Sequence, residues 1–276
     1  MPYQNQTANS SLPLQLDHRR LIAITGADAT DFLQNVMTGD IRQVLDGKMI
    51  YALLLTPQGQ ILHDFFVSKL PDGEGYLVDI DGARLDDFLS RLKIFKLRAK
   101  VDIRAVPPEE LSVFIHASEG LADPRHSALG MRLYRAAWSS DLNGDADDYL
   151  DICTRAGIPD TGAFHVQKDF VADMNLDKLG AIAWDKGCYI GQEVTARMHY
   201  KGLAKKRLLI IEGKHIATGD MIFAGERAVG DIRQLNPRNP AQALAIVRLD
   251  SVQNLQSAGG YPLTAHTPEY LGITDS

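Results

Sequence analysis

A body of mixed strands and helices followed by a small all-β domain is the architecture the sequence predicts, and the run of its elements and the change of texture near residue 205 predict it. Between about residue 15 and residue 205, β-prone runs are interleaved with helical runs; after Lys205 only short strands between glycines remain. Trp184-Asp185-Lys186-Gly187-Cys188-Tyr189-Ile190-Gly191-Gln192-Glu193 stands near the junction and packs a thiol, an ammonium, carboxylates, an amide and two glycines into one short stretch. Burying unpaired charge is costly and a plain linker requires no thiol, so this composition suits a site.

Taken in order, Met1 to Pro13 is polar and rich in Asn, Gln and Ser, and a disordered tail is expected over 1–14. Leu21 to Gly26 reads as a buried strand, and Asp28 to Val36 as a short helix with Asp28 as N-cap. A single strand–glycine–helix turn lacking G-x-G-x-x-G does not specify a dinucleotide fold. Tyr51 to Leu55 and Ile61 to Val67 flank the turn Thr56-Pro57-Gln58-Gly59 and predict a hairpin. Tyr76 to Ile80 adds a strand. In Gly82 to Lys96, Leu85, Phe88, Leu89, Leu92 and Phe95 fall at helical spacing. Strands are expected at Val101 to Ile103, Leu111 to His116 and Met131 to Ala137. A helix over Tyr149 to Ala156, ended by Gly157 and Pro159, should carry Cys153 on its inner face.

Gln192 to Tyr200 suits a helix that Gly202 would end, which places Cys188 just ahead of a helix N-terminus and two residues from Lys186. Both neighbours lower a thiol's pKa and raise its reactivity. Gly187 and Gly191 leave room for positive φ or for a ligand against the backbone. Beyond them, Leu208 to Gly213, Met221 to Ala224, Ala228 to Arg233, Ala243 to Arg248 and a run near Tyr261 to Leu263 are short strands whose spacing suits a barrel or a sandwich.

Composition narrows the function classes. The chain has 276 residues, 45% hydrophobic and 23% charged, with 29 basic against 35 acidic residues and a net charge of −6. That balance argues against whole-surface binding to nucleic acid, so direct nucleic-acid binding is not expected, and no apolar run reaches the roughly 20 residues of a membrane span. The opening residues lack the signature of a secretory signal and the arginines of a mitochondrial transit peptide, so a cytoplasmic protein is expected. Cys153 and Cys188 are the two cysteines, without a C-x-x-C pair. An iron–sulfur cluster normally takes about four cysteine ligands, so no stably bound metal or cluster is expected in the monomer and any cluster would be shared or transient. His165 and His199 have no partner histidine at ligand spacing.

Lys186-Gly187-Cys188-Tyr189-x-Gly191-Gln192-Glu193 resembles the signature of the YgfZ family, the folate-binding relatives of the glycine-cleavage T-protein that assist iron–sulfur cluster proteins. Ile24 to Ala29 with Phe32-Leu33-Gln34, Thr56 to Ile61, Ala156 to Pro159 and Asn175 to Gly180 are similar to further family segments in family order. The resemblance implies a T-protein-like α+β body of several subdomains around a central folate-binding opening over 15–205, with a C-terminal β-barrel over 206–276. It implies tetrahydrofolate as cofactor, transient iron–sulfur client or carrier proteins as partners, and Cys188 with Lys186 as the reactive pair. Folate-binding positions would be Tyr149 at a family aromatic position, Asp64 or Glu193 against the pterin, Arg197 toward the glutamate tail, and Gln192, Gly187 and Gly191 of the signature.

Two positions depart from the T-protein pattern. The hairpin segment Gly59-Gln60-Ile61-Leu62-His63-Asp64 has His63 where that branch has a second carboxylate, which speaks against aminomethyl transfer. Arg155 replaces the acidic residue before Ala156-Gly157, and a guanidinium cannot accept from a pterin amino group. Three readings follow: a folate-dependent accessory factor for assembly or repair of iron–sulfur enzymes, a folate-dependent aminomethyl or one-carbon transferase, and a cysteine hydrolase for which no spacing selects a base.

Overall fold

The computed structural model describes residues 13–45, 47–71, 73–136, 145–202 and 204–272. In chain order the body comprises β1 (Leu14–Gln15), β2 (Arg19–Thr25), α1 (Ala29–Val36), β3 (Ile50–Leu55), β4 (Ile61–Lys69), β5 (Tyr76–Asp81), α2 (Leu85–Lys96), β6 (Asp102–Val106), β7 (Ser112–Ala117), β8 (Leu121–Ala122), β9 (Met131–Arg135), α3 (Ala146–Ala156) and α4 (Gln192–Tyr200). The barrel follows with β10 (Lys206–Gly213), β11 (Met221–Ala224), β12 (Arg227–Leu235), β13 (Gln242–Arg248), β14 (Leu255–Ser257) and β15 (Pro262–His266). Residues 1–12 of the expected tail lie outside the described residues; Leu14, assigned to that tail, is buried in a strand and pairs with Ile115.

Alternation along the strands builds the body in layers. The antiparallel sheet β3-β4-β5-β2-β6 turns Ile22, Ile24, Phe65 and Val67 toward Phe32, Leu33, Phe88 and Leu92 of the two helices on one face. Its other face turns Leu21, Tyr51, Leu53 and Phe66 toward Val113 and Ile115 of the second sheet, β1-β7-β9-β8, and toward Tyr149 and Cys153 of α3. The hairpin forms at the expected turn, with Gly59 at φ 79°. Asp28 occupies the N-cap of α1 but makes no side-chain cap bond; its carboxylate instead accepts from the Lys100 backbone N–H at 2.7 Å.

The six C-terminal strands close in the order β10-β13-β12-β11-β14-β15. Leu209, Ile211, Val229 and Ala245 fill the barrel, while the alternate residues Leu208, Leu244 and Ile246 face outward into the core of the body. Polar contacts fix the same joint: Arg207 donates to Asp177 at 2.6 and 3.1 Å, and Arg233 to Asp169 at 2.7 and 3.0 Å. Among the described residues no helix is long and apolar enough to cross a membrane.

Candidate functional site

The segment carrying the signature is sewn to the body before it reaches the thiol. The Ala183 backbone N–H donates to the Thr38 carbonyl at 3.0 Å, and the Lys186 ammonium donates to the carbonyls of Gln34, Met37 and Gly39 at 2.6, 2.8 and 2.7 Å. These acceptors lie at and just beyond the C-terminal end of α1, where carbonyls have no intrahelical partner and attract a cation. Lys186 is therefore buried, 6% exposed, and burial lowers its pKa to about 8. Tyr189, also buried, joins the hydrophobic core.

Between those two anchors Gly187 and Cys188 are exposed. Gly191 then takes φ 83°, and a Cβ there would stand 2.5 Å from the Thr56 carbonyl oxygen and 2.9 Å from Leu55 Cβ. Its bareness lets the loop lie directly on the β3–β4 turn, where α4 begins. Gly187 is different, since a Cβ there would meet nothing within 4 Å. The result is a thiol at the tip of a doubly anchored loop. Cys153, by contrast, is buried, and its thiol is pushed up to about 12 by that burial.

The sequence-derived residues separate into two places. Cys188, Gly187, Gly191, Gln192, Glu193 and Arg197 belong to the loop and α4, on the hairpin turn, with Cys188, Gly187, Glu193 and Arg197 exposed. Tyr149 and Asp64 lie inside the body, in a polar cluster between the two sheets. The Tyr149 hydroxyl donates to Asp160 at 3.1 Å and accepts from Arg125 at 3.2 Å; Asp64 accepts from Tyr51 at 2.9 Å and from Thr161 at 2.8 Å. Arg19 and Arg132 both pair with Asp79 at 2.7 Å in the same cluster. The ammonium of Lys186, expected beside the thiol, is turned inward onto α1.

These positions do not fit a pterin as arranged. Tyr149 is 1% exposed and Asp64 2%, and the polar atoms of both are already paired within the protein. Arg155 points outward and pairs with Asp151 at 3.0 Å. A cavity of about 240 Å³ lies beside α4, lined by Trp184, His199, Met198, Thr195, Asp177 and Arg207, and another of about 200 Å³ by Leu16, Arg19, Val106 and Val113. Neither is lined by Tyr149, Asp64 or Cys188, and both fall short of the roughly 300 Å³ at which small-molecule pockets begin.

His63 and Asp64 face opposite sides of β4. His63 Nε2 lies 2.7 Å from Asp87 of α2, while Asp64 points into the polar cluster. Adjacent strand positions alternate, so a residue at 63 tunes its neighbour's carboxyl little. Sequence reasoning missed the aromatic patch beside α4: Trp184 stacks on His199 with ring centroids 3.7 Å apart, and Tyr200 stands edge-on to both and is 71% exposed. Residues 199 and 200 at the end of a short helix, with a tryptophan ahead of the signature, were its available signal. Among the described residues Cys188 has no hydrogen-bonded histidine or carboxylate, and the cysteine-hydrolase reading lacks its base.

Comparison with known proteins bears on the whole arrangement. Residues 7–108 match the GCVT N-terminal domain and residues 205–272 the CAF17 C-terminal beta-barrel domain. The chain is 31% identical over 218 residues to a protein of Pyricularia oryzae named iron-sulfur cluster assembly factor IBA57 homolog, mitochondrial, covering 70% of this chain and 55% of that one. A relative of the same name from Coccidioides immitis is 31% identical over 239 residues, covering 72% and 56%, and one from Mycosarcoma maydis 27% identical over 302 residues, covering 94% and 70%. The chain thus spans little more than half the length of the first two. The crystal structure of glycine cleavage system aminomethyltransferase T from Bartonella henselae superposes with a TM-score of 0.70 over 94% of this chain and 85% of that one at 13% identity, a likeness of fold alone. The relatives' names overturn the expectation of a cytoplasmic protein, because all three are mitochondrial. That expectation rested on the absence of a secretory signature and of arginine in a few opening residues, a weak signal, and a folded body is built alike in either compartment.

Proposed function

We propose that this chain, a GCVT-like body carrying a CAF17-type barrel, is an iron–sulfur cluster assembly factor that offers Cys188 as one ligand to a cluster held by a partner protein. The relatives' names supply the process, and one observation supplies the chemistry: an exposed thiol between the buried anchors Lys186 and Tyr189. A single exposed sulfur cannot enclose a cluster, so the cluster is cargo that a second protein must help hold. On contact the thiol loses its proton to solvent, an iron–sulfur bond forms to Cys188, and a ligand of the partner leaves.

The relatives share the process with the YgfZ branch while carrying another name, and the reading needs no folate. Tyr149 and Asp64 would have to abandon their internal partners to meet a pterin. The aminomethyl-transferase alternative rests on fold alone, and fold does not fix chemistry.

The test is the activity of cluster-dependent enzymes in cells whose own copy is replaced by Cys188→Ala, with protein level followed in parallel. Loss of those activities at normal level supports the reading, and unchanged activities remove the thiol from it. Calorimetry with tetrahydrofolate tests the cofactor separately: no saturable heat is expected, and stoichiometric binding would restore the folate-dependent form.

A further inference from the structure

We propose that His18, Asp81 and Asp160 form a binding site for a single divalent first-row transition-metal ion. The site is separate from Cys188 and does not depend on the cluster-assembly reading. The three residues come from the β1–β2 turn, the end of β5 and the segment after α3, and one ligand atom from each lies within 4.8 Å of the others. Positions 18, 81 and 160 carry no ligand spacing, so nothing in the linear sequence draws them together.

Two further observations point to a cation. Among the described residues His18 Nε2 is shut off from solvent and has no hydrogen-bond partner. A buried imidazole nitrogen without a partner is costly, and a metal ion would satisfy it. The second observation is charge. In the adjoining polar cluster Arg19, Arg125 and Arg132 are paired with Asp79 and Asp123, and Asp64 lies in the field of Arg19. Asp160 also lies in the field of Arg19, so three guanidiniums face four carboxylates. Asp81 adds a fifth, and neither it nor Asp160 is in a direct ion pair among the described residues.

The donors are held in place by their own backbones. The His18 carbonyl accepts from the Gly82 N–H at 2.7 Å, which ties His18 to the corner bearing Asp81. The Asp160 N–H donates to Gln234 Oε1 at 2.9 Å. Asp81 Oδ1 accepts from Ala83 at 2.8 Å and Asp160 Oδ1 from Tyr149 at 3.1 Å, so the second oxygen of each carboxylate remains open to a metal. Three donors bound about 2.1 Å from one ion stand about 3.0 to 3.6 Å apart, so separations of up to 4.8 Å must close by about 1 to 2 Å, a distance that side-chain rotation covers. One imidazole and two carboxylates suit manganese(II), iron(II), cobalt(II) or zinc(II) better than magnesium, with water completing the shell.

The experiment titrates the full-length chain with Mn2+ and follows the paramagnetic resonance signal of the free ion. Mn2+ has little affinity for thiols, so Cys188 does not compete. One ion per chain is expected, with affinity falling at least tenfold in both His18→Ala and Asp81→Asn, the latter retaining an oxygen for the Ala83 N–H. Mn2+ should also raise the thermal midpoint of the wild-type chain and leave that of His18→Ala unmoved. Absence of saturable Mn2+ binding, or equal affinity in wild type and in folded variants, overturns the proposal.

Discussion

The Lys186 ammonium lies 2.8 Å from the Met37 carbonyl oxygen, across the joint between the signature segment and the end of α1. A lysine two positions from the thiol acts on it through position, by anchoring the loop, and its charge is spent on three carbonyls. Lys186→Met should therefore lower stability by about 2–4 kcal/mol, because the buried carbonyls lose a charged donor and have no replacement. The midpoint of chemical denaturation measures this, and a change under about 0.5 kcal/mol would contradict the anchoring role.

Thiol reactivity should divide cleanly between the two cysteines. Cys188 is exposed and Cys153 is buried, with its thiol pushed up to about 12. Titration of the native chain with an aromatic disulfide should release one equivalent of thiolate rapidly and the second only after unfolding. Cys188→Ser should abolish the fast phase while shifting stability by no more than about 0.5 kcal/mol. Two fast equivalents would mean that α3 opens readily.

Acid should destabilise the fold through His63. Burial, reinforced by the Arg84 charge, lowers its pKa from 6.5 to about 4 despite the facing Asp87. The unfolded chain therefore takes up a proton between pH 6.5 and about 4 that the folded chain refuses. This contribution to stability is fully present above pH 6.5, declines as pH falls to about 4 and changes no further below. His63→Leu should flatten that limb by on the order of 2–3 kcal/mol relative to wild type. Denaturation midpoints measured across that range decide it, and parallel curves for the two chains would refute it.

Local signals carried much of this structure. The hairpin around Pro57 and Gly59, α4 at Gln192–Tyr200 and the barrel after Lys205 are all legible in residue order, because turn glycines and the spacing of apolar residues act within a few positions. The missed strands β1, β8 and β14 run only two or three residues, too short for alternation to register. The site was less legible. Lys186 and its acceptors lie 147–152 positions apart, and only the packed chain shows that its ammonium faces α1 and leaves the thiol. Tyr149 and Asp64, offered by family position, proved to have partners supplied by Arg125, Asp160, Tyr51 and Thr161, which no pattern in the sequence connects to them.

The two glycines around Cys188 should behave oppositely. Gly191→Ala would drive a Cβ to 2.5 Å from the Thr56 oxygen at a backbone φ of 83°, so a loss of about 1–3 kcal/mol is expected. Gly187→Ala meets open space and has no positive φ, and its stability should stay within about 0.5 kcal/mol of wild type. Gly187 is thus free of a folding role, and its bareness beside the thiol matters only if another molecule comes close. A Gly187→Ala chain that folds normally yet fails to support cluster-dependent enzymes would mark this rim as the partner's landing point. Normal activity in that chain would show that the partner needs no bare backbone at position 187.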